Sequence, residues 1–118
     1  IFYINYAHAR INQIFAKAGK SVNDIKNVSL DSMNEEAQNL LFSALLLPEV
    51  LEDAFSSRQV QKVTEYLKNL AAALHKFYNE NRVVGSVEEE QLLKLFAVVA
   101  LSLRVGLKLI GITAKDKM

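Results

Sequence analysis

Tyr3, Tyr6 and Arg10 stand at i, i+3, i+7 in the opening stretch Tyr3-Ile4-Asn5-Tyr6-Ala7-His8-Ala9-Arg10. On a helix they share one face. Two aromatic rings and a guanidinium on one stripe can grip an unstacked base and its phosphates. Ile4, Ala7, Ile11 and Ile14 interleave as an apolar stripe able to seat the helix in a core. The same spacing also fits two large core residues with a wet edge, and spacing alone leaves both readings open. A related cluster follows at His75-Lys76-Phe77-Tyr78-Asn79. Leu74 and Phe77 are expected in the core. His75, Tyr78 and Arg82 then repeat i, i+3, i+7 on an adjacent stripe. That stripe is either a helix edge with snorkelling side chains or a second wall of a base pocket facing Tyr3 and Tyr6.

Catalytic chemistry is poorly supplied. The chain has no cysteine, so a thiolate metal site, a disulfide framework and a Cys nucleophile are excluded. Its two histidines are too few for a His-rich metal site, and neither has an acid–base–nucleophile context. His8 is expected to hydrogen-bond a neighbour near the core. The glycines stand alone at 19, 85, 106 and 111, so no Gly-rich phosphate loop exists. Glu88-Glu89-Glu90 reads as a solvated first turn complementing a helix dipole. A net charge of +1 and a pI near 8.2 lack the basic footprint of a general DNA binder. Any nucleic-acid contact must therefore rest on few phosphates and on stacking.

The elements that would position these residues are helical. One proline and four glycines in 118 residues leave too few turns for a β-sandwich. Helix one is expected over Phe2–Ala18, stopped by Gly19, with Lys20–Ser32 as an irregular surface loop. Helix two is expected over Met33–Leu46, capped by Asp31 or Ser32, with Leu40, Leu41, Ala44, Leu45 and Leu47 as its apolar face. Pro48 suits the first turn of a third helix, Pro48–Ser57. Helix four spans Gln59–Asn81. Ser86 and Glu89 read as a capping box before helix five, Val87–Ile110, which is apolar nearly all round and expected to be central. Lys94, Arg104 and Lys108 interrupt the apolar region 92–112, and such charges cost roughly 2.5–3.5 kcal/mol each in a membrane, so a buried soluble helix is the better reading. Five helices with short links make an all-α antiparallel bundle, a single domain over residues 1–118. No signal peptide is visible. The start at Ile1-Phe2-Tyr3, without an initiator methionine, is expected of a piece of a longer protein.

Taken in order, these residues resemble the C-terminal anticodon-binding domain of arginyl-tRNA synthetase, a class I enzyme. Its opening is close to Tyr-x-x-Tyr-Ala-His-Ala-Arg, matched by Tyr3 to Arg10. Its fourth-helix signature is similar to His-x-Phe-Tyr, matched by His75 to Tyr78, and its Pro-Glu-Val is matched at Pro48 to Val50. Its end resembles Gly-Leu-x-Leu-Leu-Gly-Ile-x-Ala-Pro-Glu-x-Met, here Gly106 to Met118 with Lys115 in place of proline and Asp116 in place of glutamate. Both departures bear on the rigidity of the tail. Asn81 stands where many relatives carry cysteine.

The resemblance implies a parent arginine–tRNA ligase in the cytoplasm, joining arginine to its tRNA through an arginyl-adenylate. ATP with magnesium would belong to an upstream catalytic domain bearing HIGH- and KMSK-type motifs, and no cofactor to this segment. The partners implied are the anticodon loop of tRNA(Arg) and that catalytic domain, with no membrane and no DNA. Arginine codons are CGN and AGR, so the anticodon always has a central C. The residues implied to meet the anticodon loop are Tyr3, Tyr6, Arg10, Tyr78 and Met118. Lys76, Arg82, Lys115 and Lys117 are candidates for backbone phosphates, or else ordinary solvated cations. The competing readings are a non-catalytic helical protein–protein interaction module and the bundle of another class I synthetase, against which the opening motif argues.

Overall fold

The computed structural model describes residues 2–31 and 33–111. Its helices, in chain order, are α1 (Phe2–Ala18), α2 (Val22–Ile25), α3 (Glu35–Leu45), α4 (Leu47–Ser57), α5 (Gln61–Glu80) and α6 (Glu89–Leu109). The described residues contain no strand. The all-α bundle of five principal helices is as expected, with α2 as a single added turn.

Local chemistry sets the ends. Gly19 terminates α1 with φ +70°, a left-handed conformation that costs glycine nothing. The expected irregular loop Lys20–Ser32 is corrected by α2: Asp24 Oδ2 accepts from the Ser21 backbone N–H at 2.8 Å and from its hydroxyl at 3.1 Å. Four residues are too few to show a helical period. The α3 cap is Asn34, whose Oδ1 accepts from Ala37 N–H at 2.8 Å. Asp31 does not fill that role, Ser32 lies outside the described residues, and Met33 is a buried residue ahead of the helix. Three cap-capable residues within four positions, Asp31, Ser32 and Asn34, made the start ambiguous. Leu45, expected on the apolar face, is exposed instead.

The capping box expected at Ser86 does not form. The Ser86 hydroxyl donates to Val83 O at 2.7 Å, and α6 starts at Glu89. Glu89 Oε1 accepts from Gly85 N–H at 3.0 Å, while its Oε2 accepts from Lys20 Nζ at 2.6 Å. The carboxylate therefore ties the end of α1 to the start of α6, a more specific task than complementing a dipole.

The core gathers around α6, which packs on α1, α2, α3 and α5. Leu93, Leu95, Phe96, Val99, Leu103 and Leu107 are fully buried. Phe96 meets Phe77 of α5 edge-on, with centroids 5.9 Å apart. The helix is central as expected, but its apolar surface is not all covered: Leu101, Val105 and Leu109 lie exposed along one side. No helix among the described residues is long and apolar enough to cross a membrane.

Candidate nucleic-acid interface

α1 packs on α5 through the apolar stripe of the opening motif. Ile4, Ala7 and Ile11 are buried to 1 % exposure or less. With that stripe seated, the helical period turns Tyr3, Tyr6 and Arg10 toward the groove rim between α1 and α5. Tyr3 and Tyr6 are each 40 % exposed, so neither is sealed in the core.

Across the rim, His75 of α5 touches both rings. Its imidazole centroid lies 5.2 Å from Tyr3 and 5.4 Å from Tyr6, tilted by 50° and 30°. One turn further on, the Arg10 guanidinium lies 4.8 Å from the centroid of the Tyr78 ring, a cation–π distance. Tyr78 also meets Phe96, centroids 6.3 Å apart, which anchors its position to the core. The two stripes anticipated from spacing thus face one another. Beside them opens a hollow of about 290 Å³ lined by Tyr6, Arg10, Gln13, Ile14, Lys17 and Tyr78. A larger groove of about 450 Å³ between α1, α2 and α6 is walled mainly by aliphatic groups such as Val22, Ile25 and Leu101 and lacks paired rings and a stacked cation.

His75 is electrostatically specific. Burial, and then the neighbouring positive charge of Arg10, hold its imidazole below the usual histidine range. The ring is therefore neutral, with one N–H donor and one acceptor. Both nitrogens are buried and without a hydrogen-bond partner among the described residues. Each such group costs about 1–3 kcal/mol when left unsatisfied.

Gln13 and Lys17 are residues that sequence reasoning missed. They continue the Tyr3–Tyr6–Arg10 stripe by three and seven residues beyond Arg10, so the same period contained the signal. Arg82, expected to extend the His75–Tyr78 stripe, does not. α5 ends at Glu80, and Asn81 turns extended at φ −134° and ψ 132°. The Arg82 Nε instead donates to Val84 O at 3.3 Å. Lys76 lines a different hollow, between α3 and α5, beside Glu36 and Glu80. Met118, Lys115 and Lys117 lie outside the described residues. His8 is buried, as expected. Among the described residues no group of three or more metal-ligating side chains converges.

Comparison with known proteins adds an independent line. Residues 4–118 match the family model described as the DALR anticodon binding domain. Over its whole length the chain is 74 % identical to an arginine–tRNA ligase of Campylobacter curvus and 66 % identical to one of Campylobacter concisus. It spans 22 % of the length of each. A crystal structure of a putative arginyl-tRNA synthetase from Campylobacter jejuni superposes with a TM-score of 0.96 at 60 % identity, covering 99 % of this chain and 26 % of that one. The arginyl-tRNA synthetase of Thermus thermophilus superposes at 0.85 with 29 % identity, covering 98 % of this chain and 21 % of that one.

Proposed function

This chain belongs to the DALR anticodon-binding domain family, and we propose that it grips the anticodon loop of an arginine-accepting tRNA. The observation that supports this best is the pair of half-exposed tyrosines facing His75, with Arg10 over Tyr78 at the mouth of the adjoining hollow. A flipped base stacks on a tyrosine face, and Arg10 and Lys17 meet its phosphates. Because arginine anticodons share a central C, that cytosine is the base this site receives. Tyr3, Tyr6, Arg10 and Tyr78 form the base site, and Met118 contributes a thioether and a terminal carboxylate. In this reading the other candidate cations, Lys76, Arg82, Lys115 and Lys117, remain solvated and make no direct phosphate contact.

In this reading the chain is a tRNA-recognition domain of an arginine–tRNA ligase and performs no chemistry itself. The remainder of that polypeptide joins arginine to tRNA with ATP and magnesium in the cytoplasm. The length of the relatives beyond the matched segment accommodates such a catalytic unit.

Fluorescence titration of the chain with an arginine anticodon stem-loop tests the proposal. Binding that weakens when the central C is replaced by U is the expected result. Equal affinity for both loops would sink the specificity, and no binding to either would sink the reading itself.

A further inference from the structure

The imidazole of His75 presents an unusual arrangement. Its two polar atoms are buried and have no hydrogen-bond partner among the described residues, yet what lies beside the ring is a pair of half-exposed tyrosines. An apolar ring would fill the same wedge with no polar atoms to desolvate. The lids, moreover, are the rings that the base site offers to RNA. Stacking exchanges readily, because a nucleobase offers a tyrosine the same kind of π-face that an imidazole does.

We infer that Tyr3 and Tyr6 form a two-ring cover over His75, and that RNA binding moves at least one of them from the imidazole onto a base, uncovering His75 as a further hydrogen-bonding residue for the flipped nucleotide. This deepens the anticodon-loop reading and rests on it. The exchange conserves aromatic contact: one ring–imidazole contact is replaced by one ring–base contact. The gain is a hydrogen bond at a nitrogen that has none among the described residues of the RNA-free chain. A neutral imidazole places its proton on either nitrogen, so the contact adapts to a donor or an acceptor on the base edge. It therefore adds affinity without choosing between cytosine and uracil, and discrimination stays with the rest of the pocket.

The test is His75→Phe, which keeps an aromatic wedge and removes both nitrogens, beside Tyr6→Ala as a control on the site. Titrations use anticodon stem-loops with C or U at the central position, after circular dichroism has shown native helical content. His75→Phe is expected to weaken both loops by the same factor, roughly 3- to 10-fold for one hydrogen bond. Unchanged affinity in His75→Phe with weakened binding in Tyr6→Ala overturns the cover and leaves the base site standing. Unchanged affinity in both variants overturns the base site as well. If His75→Phe does not fold, the wild-type chain decides the matter by imidazole ¹⁵N resonances, which are few because the sequence holds two histidines. A shift of the His75 nitrogens into the hydrogen-bonded range on adding the stem-loop is expected, and resonances that stay where they were overturn the proposal.

Discussion

Tyr6 serves two surfaces at once: one part of its ring rests on His75 and 40 % of the residue remains open to solvent. A residue so placed can be removed without opening a cavity in the core. Tyr6→Ala is therefore expected to leave helical content nearly unchanged by circular dichroism while weakening stem-loop binding by about 1–3 kcal/mol, the value of one base–aromatic stack. Tyr66 is the opposite case. Its hydroxyl donates to the carbonyl of Ser43 and approaches that of Ala44 at 3.1 Å, and burial pushes its pKa up to about 12. Tyr66→Phe is expected to cost about 0.5–1.5 kcal/mol in urea denaturation, the net worth of one hydrogen bond, and to leave RNA binding alone. His75 links stability to pH. Its ordinary value is 6.5 and its folded value is lower, so the unfolded chain binds the proton more readily. The contribution is complete above pH 6.5, declines as pH falls from there to the folded pKa, and is flat below it. Denaturation of wild type and His75→Phe at several pH values should show the difference between them narrowing or reversing through that window. Parallel profiles would mean that the imidazole titrates alike in both states.

Helix packing explains why part of this architecture was legible in the sequence and part was not. The α1 stripe follows directly from a 3.6-residue period, and so do the buried Leu70, Leu74 and Phe77 of α5. The end of α5 does not, because only the extended backbone of Asn81 decides that Arg82 leaves the stripe. The meeting of His75 with two tyrosines depends on how α1 and α5 rotate against each other, which no single helix encodes. The same holds for Gly106. In sequence it is one isolated glycine in an apolar run, and in the fold it is where α6 touches α5. A Cβ there would lie 2.6 Å and 2.8 Å from the terminal carbons of Leu67, itself fully buried. Leu67 cannot swing into solvent, so the helices must part. Gly106→Ala is expected to destabilise the fold by about 1–3 kcal/mol, despite alanine's better helix propensity. Thermal denaturation measures this, and a variant as stable as wild type would show that the contact yields freely.

At the scale of the whole molecule the governing quantity is charge. Fourteen lysines and arginines against thirteen aspartates and glutamates leave the surface nearly balanced. Several cations are already committed: Lys20 to Glu89 and Glu90, Lys62 to Asp53, and Lys94 to the carbonyls of Lys26 and Val28. At the α1–α5 rim the cations beside the hollow are Arg10 and Lys17. Each phosphate neutralised on a single strand lowers log K by about 0.7 per tenfold rise in salt. Two such contacts give a slope of about −1.4, shallow for a nucleic-acid binder and consistent with affinity that resides in stacking. Stem-loop titrations over a range of potassium chloride concentrations measure it directly. A slope steeper than about −4 would require at least six phosphates, more than this rim can serve, and would move the RNA onto some other face. A slope of zero would mean that neither Arg10 nor Lys17 meets a phosphate. Lys17→Ala, with the guanidinium left in place on Tyr78, should bring the slope to about −0.7 and so separate the two cations.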